Sequence, residues 1–557
     1  MKKHLLNTTL QFFLALTITL IVGCEDNNED NSPKEGRKDY ENGYYIGEFN
    51  SSGQRHGTGT FYWSDGDKYE GQWSNGSRSG QGTYTWVSGA KYEGQWENGS
   101  RSGHGKHTYS NGNVYEGNWK EGTINGQGTF TFKDGSTFSC NWENGTPTDH
   151  KSYFLSIYKD NWYYWKDKVG KIDAKDYSSA EDILEKTKYH LDKYSYILDL
   201  TDNLEDGFSI GYGISVRYDR NNQLRVSYVV KNGAADLNGV KKGWRITHIN
   251  GSNVSSMDNI NMVAKEGEVC TFTFIDDSVI LINDNHSPQQ ISLTASKYRN
   301  SSIIYSTIIQ QNQKKIGYLV LRTINSVDEN ELLTTINSFS GNGINELVLD
   351  LRYCAGGNYA LTTKLAGYIA PNHVNGKALM KRVWHEERKD RNEEFLIEKN
   401  GPLNLSRIFT ITSSTTDNTP EYLIHGLSAY MNIIKIGSKS KGEDIYGKSN
   451  WRFKENYYHL LVSHILTNGN EETILGGLKP DYNCVDGVEY AWGNINEDCL
   501  SASLFYIANS SFPVSDEDPL ELRQSMEKNK QIIEPTIRPE AMLMDTNTQW
   551  IEAKEPK

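Results

Sequence analysis

The chain has 557 residues, a formal net charge of −13, 34 tyrosines and 50 glycines. That length exceeds what one hydrophobic core organises, so several folded units are expected. An acidic balance with no long basic run gives no electrostatic footing for nucleic acid, and abundant tyrosine and glycine point to many short strands joined by tight turns.

The first residues, MKKHLLNTTLQFFLALTITLIVGC, give a basic start, an apolar stretch from Leu10 to Val22 and then Gly23-Cys24. This is the layout of an export signal, and the apolar stretch is short for a bilayer core of ~30 Å. Leu20-Ile21-Val22-Gly23-Cys24 resembles the lipobox of bacterial lipoproteins. The resemblance implies a signal peptide over 1–23, acylation of Cys24 and lipid anchorage in the cell envelope, and the acidic run Glu25 to Asp30 suggests display on the outer surface. Residues 24–43 are expected to be an acidic tether. Five cysteines lie beyond Cys24, and only Cys484 and Cys499 are close enough in sequence to suggest a bridge. No CxxC or HExxH spacing is present, so no metal or cofactor is expected.

From 44 to 146 the chain repeats itself. Tyr69, Tyr92 and Tyr115 are spaced by 23 residues, as are Trp73, Trp96, Trp119 and Trp142. Tyr-x-Gly-x-Trp alternation predicts a strand with its aromatics on one face, and Asn-Gly supplies the positive φ angles of hairpin turns. One hairpin cannot bury its own aromatic face, so the units must stack. YEGQWSNGSRSGQG, YEGQWENGSRSGHG and YEGNWKEGTINGQG resemble MORN repeats, with weaker units at Tyr45 and Phe138. The array is expected to be either a binding surface built on exposed aromatic stripes or a rigid spacer.

After a polar hinge, residues 150–204 read as a small helical domain. Ser178 or Ser179, followed by Glu181 and by Ile183, Leu184, Thr187 and Leu191, marks an N-capped amphipathic helix. The next stretch, 207–296, alternates strands with glycine turns. GYGISVRYDRNNQLRVSYVVKNGAADLNGVKKGWRITHINGSNV looks like a PDZ domain, a β-sandwich or barrel. The likeness implies that Gly211, Tyr212, Gly213 and Ile214 form a carboxylate loop whose N–H groups cup a peptide C-terminus, with the peptide added as a strand.

From 301 to 510, apolar strands (KIGYLVLR, ELVLDL) alternate with helical stretches, an α/β layout. ELVLDLRYCAGGNYALTTKLAGYI, TSSTTDNTPE and GGLKPD, in that order behind a helical cap and a PDZ domain, resemble the C-terminal-processing (tail-specific) serine peptidases. The resemblance implies a ClpP/crotonase-like α/β core, polypeptide substrates, and a nucleophilic Ser three residues before a Glu at a helix N-terminus. That position is Asn418 in this chain. The family's general base is a Lys closing an IGxxxxGK turn, and IGSKSKGE places Glu443 there. A Ser–Lys dyad needs a hydroxyl and an amine whose pKa has fallen several units from ~10.4, and an amide and a carboxylate supply neither. Asn418-Thr419-Pro420-Glu421 is instead well formed as a helix start, with Asn at the N-cap, Pro in the first turn and Glu at N3.

Two substitutes stay open: a displaced dyad of Ser413 or Ser414 with Lys439 or Lys441, and an oxyanion donor at Gly356 or Gly357. Cys354, with His425 as a distant partner, is expected to be a packing residue. Taken together, the sequence predicts an envelope lipoprotein that binds polypeptide C-termini or extended segments without efficient cleavage. The alternatives are an active endopeptidase with a relocated dyad, and an adhesion or scaffold protein acting through its repeats. Residues 511–557 read as a tail with a weak helix over 520–529.

Overall fold

The computed structural model describes residues 34–513, apart from 191, 193–194, 200–207, 257–263, 278–286, 300, 312, 326–327, 443–445, 455 and 468–475. Cys24, Glu443 and the expected tail helix lie outside the described residues. Among those described, no helix is long and apolar enough to cross a membrane. The chain divides into two compact units, the first comprising 1–133 with 141–146 and the second 134–140 with 147–557.

The repeats form an eleven-stranded antiparallel sheet whose strand order follows chain order. Its hairpins turn at Asn75-Gly76, Asn98-Gly99, Glu121-Gly122 and Asn144-Gly145, where both residues have positive φ. Asn tolerates that conformation and Gly adopts it freely, so the turn chemistry fixes the register. The sheet begins earlier than expected: Lys34–Tyr40 is a strand paired with Gly43–Phe49, which corrects the reading of 24–43 as tether throughout. KEGRKDY carries enough alternating charge to pass for a linker, yet its backbone completes the edge of the array.

The aromatic face is not exposed, which corrects the notion of an aromatic binding stripe. Tyr45, Tyr69, Tyr92 and Tyr115 are fully buried and Trp73, Trp96 and Trp119 nearly so. One row of directly paired glycines crosses the sheet, from Gly47 through Gly59, Gly71, Gly82, Gly94, Gly105 and Gly117 to Gly128. The tyrosines lie in the trough these glycines leave: a Cβ added at Gly82 would stand 2.2 Å from Tyr69 Oη. Each hydroxyl donates to a carbonyl three residues on, as Tyr69 does to Gln72 O at 2.9 Å. The indoles of Trp73, Trp96 and Trp119 each donate to a glycine carbonyl, and Arg55, Arg78 and Arg101 each stack on the next Trp ring at 4.3–4.4 Å. The array is therefore its own core.

In the second unit, His150–Ile157 and Ala180–Thr187 are the helices of the small domain, and Ser179 caps the latter by accepting from Asp182 N at 3.2 Å. Strands Ile214–Tyr218, Leu224–Val229, Arg245–Ile249, Val269–Ile275 and Gln289–Thr294 form the next sheet in that order, closed over Val226, Phe272, Phe274 and Leu293. The α/β core holds the sheet Ile303–Gln311, Lys314–Leu321, Glu346–Asp350, Arg407–Thr412, Asn432–Gly437 and Tyr482–Asn483. Its first pair is antiparallel and the remaining pairs are parallel. Helices Tyr359–Ile369 and Thr419–Leu427 cover one face and Asp498–Asn509 the other. Cys484 and Cys499, the pair close in sequence, are bridged and tie that last helix to the sheet.

A second sheet escaped the sequence reading. Ala378–Trp384 pairs with Asn456–Thr467, which also pairs with Tyr446–Phe453 and with Tyr196–Asp199 of the small domain.

Candidate active site

In a parallel sheet the loops at the carboxyl ends of the strands converge, and sites form there. Three such loops meet in this core. The turn after Glu346–Asp350 holds Arg352 to Gly357, the loop after Arg407–Thr412 holds Ser413 to Asn418, and the turn after Asn432–Gly437 holds Ser438 to Gly442.

The middle loop is stitched to the first. Thr415 Oγ1 donates to Arg352 O at 2.6 Å, Thr416 Oγ1 to Leu351 O at 2.8 Å and Gly356 N to Asp417 O at 2.9 Å. Ser413 Oγ also donates to Arg352 O. The chain then turns sharply into the helix Thr419–Leu427, and Asn418 takes the turn with φ 67° and ψ −118°. A non-glycine residue in that region costs on the order of 1–3 kcal/mol, and it persists only where neighbours enforce it. Asn418, Pro420 and Glu421 take the N-cap, first-turn and N3 places expected of them, but Asn418 does so at positive φ where an ordinary N-cap residue is extended.

Glu421 enforces the turn. Its carboxylate accepts from Asn418 N at 3.1 Å and from Gly442 N at 2.9 Å, and Ser440 Oγ donates to it. Ser440 in turn accepts from Leu478 N at 2.7 Å, which draws in Gly476-Gly477-Leu478. One side chain thus clasps the elbow, the base-position turn and the GGLKPD segment. Burial, its strongest influence, pushes the Glu421 carboxyl up to about 7, the Asp417 charge adding to the rise and the Ser440 hydrogen bond opposing it. The sequence marked Glu421 only as a helix-start residue.

The displaced dyad does not form. Ser414 is exposed and makes no hydrogen bond among the described residues, and Ser413 Oγ is engaged by Arg352 O and Thr415 Oγ1. Lys441 Nζ pairs with Asp417 at 3.2 Å. Gly356 is corrected as an oxyanion donor because its N–H is used on Asp417 O. Gly357 is left: its N–H makes no hydrogen bond among the described residues, and a Cβ there would meet Thr419 Oγ1 at 2.6 Å. Cys354 is fully buried in the apolar core with its thiol pushed up by that burial, and His425 Nδ1 is bonded to Thr467 Oγ1. The packing role holds.

Below the site, Arg352 is fully buried against three carboxylates, at 2.6 Å from Asp350, 2.9 Å from Asp486 and 2.6 Å from Glu497. Buried charges need such pairing. No local signal in the sequence marks this cluster, because two of its three carboxylates, Asp486 and Glu497, lie more than a hundred residues from Arg352.

The predicted carboxylate loop is ordered as a turn. Tyr212 O accepts from Ala235 N and Gly213 O from Val230 N at 2.9 and 2.8 Å, and Gly213, with φ 68°, lies so near Gly233 that a Cβ would come within 2.9 Å of it. Ile214 is buried and opens the strand at the edge of its sheet. From that strand Arg217 donates to Thr415 Oγ1 at 3.0 Å and stacks on Tyr353 at 4.6 Å. Lys242 donates to the carbonyls of Gly487, Val488 and Tyr490 at 2.7–3.2 Å.

A strained strand-to-helix elbow stands above the carboxyl ends of the parallel sheet, where sites in α/β folds form. Comparison with known proteins specifies the kind. Residues 315–484 match Peptidase family S41, 202–269 a PDZ domain, and 45–68, 69–91, 92–114 and 115–137 the MORN repeat. The chain is similar to carboxyl-terminal-processing peptidase 1, chloroplastic, of Arabidopsis thaliana, with 21% identity over 361 residues, 62% of this chain and 70% of that protein. It shares its fold with a protein provisionally named an S41 protease from Bacteroides fragilis NCTC 9343, with 20% identity, a TM-score of 0.56, and coverage of 67% of this chain and 100% of that one. The chain thus carries an S41 peptidase-family domain beside PDZ and MORN modules, and it is similar to a C-terminal-processing peptidase.

Proposed function

We propose that the protein is a peptide-binding pseudopeptidase, held in the cell envelope by a lipid on Cys24, which recognises polypeptide C-termini or extended segments without efficient cleavage. The observation that carries this is the elbow. Asn418 occupies the strained turn, and neither Ser413 nor Ser414 bonds a lysine. An amide has no hydroxyl to add to a scissile carbonyl, and loss of a nucleophile costs several powers of ten in rate. Binding needs neither group. The edge strand after Gly213 supports strand addition, and through Arg217 it adjoins the loop that leads to Asn418.

The test uses the full-length protein. A fluorescent peptide with a free C-terminal carboxylate should bind and its amidated form should bind much less. Unfolded protein substrates should stay intact, and a serine-reactive fluorophosphonate should leave the chain unlabelled. Robust hydrolysis abolished by Ser414→Ala would refute the proposal.

A further inference from the structure

The backbone at Asn418 acts on its own side chain. In an L-residue, Cβ lies about 120° from the backbone N around the Cα–C bond. The ψ of −118° at Asn418 therefore brings the nitrogen of Thr419 almost into eclipse with Asn418 Cβ. In a helix or a strand the same nitrogen is turned roughly 80° or 105° away from Cβ. A five-membered ring through Thr419 N and Asn418 C, Cα, Cβ and Cγ requires the eclipsed arrangement. The fold holds it: Asn418 N is bound to Glu421, Asn418 O accepts from Tyr422 N at 3.0 Å, and the preceding residue Asp417 is paired with Ala355 and Gly356.

We propose that Asn418 is a site of folding-assisted self-modification, in which its side chain closes to a succinimide and opens to aspartate or isoaspartate. Hydroxide removes the N–H proton of Thr419, and that nitrogen forms a bond to Asn418 Cγ. The Cγ–Nδ2 bond breaks, and Nδ2 leaves as ammonia after taking a proton from water. Water then adds to one of the two ring carbonyls. Opening at Cγ gives aspartate, and opening at the backbone carbonyl gives isoaspartate. One water is consumed and one ammonia released, with no oxidant or reductant. In an unfolded chain the branched Thr419 hinders this closure, whereas the folded elbow has already met its backbone requirement, the eclipsed ψ. The product places a new carboxylate beside Asp417 and Glu421 in a buried turn, so modification loosens the elbow. The inference does not depend on whether the cleft binds peptide.

The test is to hold the full-length protein in heavy-oxygen water at mildly alkaline pH, native in one arm and unfolded in urea in the other. Trypsin releases Ile408 to Lys435, which carries Asn418 and, as an internal control, Asn432. Fragment-ion mass spectrometry locates the heavy oxygen, and isoaspartyl methyltransferase labelling reports the second product. The native arm should convert Asn418 on the order of tenfold or more faster than the unfolded arm, and faster than Asn432. In Asn418→Gln, whose extra methylene spoils the ring, no label should appear at 418. Equal or slower conversion at Asn418 in the native arm would overturn the proposal, whatever the variant does.

Discussion

His107 provides a pH test of the repeat array. Phe61, Tyr84, His107 and Phe130 occupy the same place in successive units, 23 residues apart, so an imidazole stands where its neighbours have apolar or phenolic rings. It is buried between Tyr109 at 4.3 Å and Trp86 at 5.1 Å, and the Arg101 guanidinium donates to its Nδ1 at 3.0 Å. Because guanidinium accepts no hydrogen bond, Nδ1 is the acceptor and the folded ring is neutral. Burial first, and the Arg101 charge second, lower its pKa from 6.5 to about 3. The unfolded chain takes up a proton near 6.5 and the folded chain resists until about 3, so stability is full above 6.5 and falls as pH drops through that window. Between about pH 7.5 and 5 the loss is ~2 kcal/mol, from RT times the logarithm of the ratio of the two binding polynomials. His107→Phe, which restores the ring of Phe61 and Phe130, should remove this loss. Amide hydrogen exchange over residues 92–119 in both proteins measures it locally. If the difference between the two proteins is the same at both pH values, the neutral buried imidazole is wrong.

Four further outcomes follow from named contacts. Glu421→Ala should cost ~2–4 kcal/mol and lower the Tm, because it strands the N–H groups of Asn418 and Gly442 and the Ser440 hydroxyl. In the parent, the raised Glu421 pKa adds stability that is present below about 4.3 and is lost as pH rises through about 7, a slope Glu421→Gln should abolish in denaturant titrations. Gly82→Ala should destabilise the array by ~1–3 kcal/mol or more, read as lost hydrogen-exchange protection, since its Cβ collides with Tyr69 Oη. The double variant Asn418→Ser with Glu443→Lys should gain measurable hydrolysis of unfolded substrate, while Asn418→Ser alone should not; parity of the two would place the base elsewhere.

Much of this was legible because it repeats or is local. The period of 23 exposes the units, Asn-Gly names their turns, and glycine spacing identifies the segment around Gly213. The order of the motifs from ELVLDL to GGLKPD carries the resemblance to S41 peptidases, which the match over residues 315–484 bears out. What stayed hidden depends on distant partners. Which face of the array is buried is decided by the glycine row closing on Tyr69 and its equivalents, and alternation alone is the same whether the aromatics face in or out. The sheet around Asn456–Thr467 unites segments more than two hundred residues apart, so no window contains it. Gly356 looked available in sequence, and only the pairing with Asp417 shows its amide to be taken.

Under the proposed pseudopeptidase function, the elbow explains how the fold would outlast the chemistry. The bonds that clasp its shape include those of the Asn418 backbone N–H and O and others from Glu421, Ser440, Thr415 and Thr416. None of these needs a hydroxyl at 418. A change from Ser to Asn therefore leaves the clasp, the strained φ and the adjoining edge strand in place while removing the attacking atom. The same holds at the Gly442 turn, whose N–H binds Glu421 whatever side chain follows at 443. A site whose geometry is carried by backbone and neighbours can lose its reactive side chains one at a time at small cost in stability, and under the proposed function the strain at Asn418 would mark the position of a lost nucleophile.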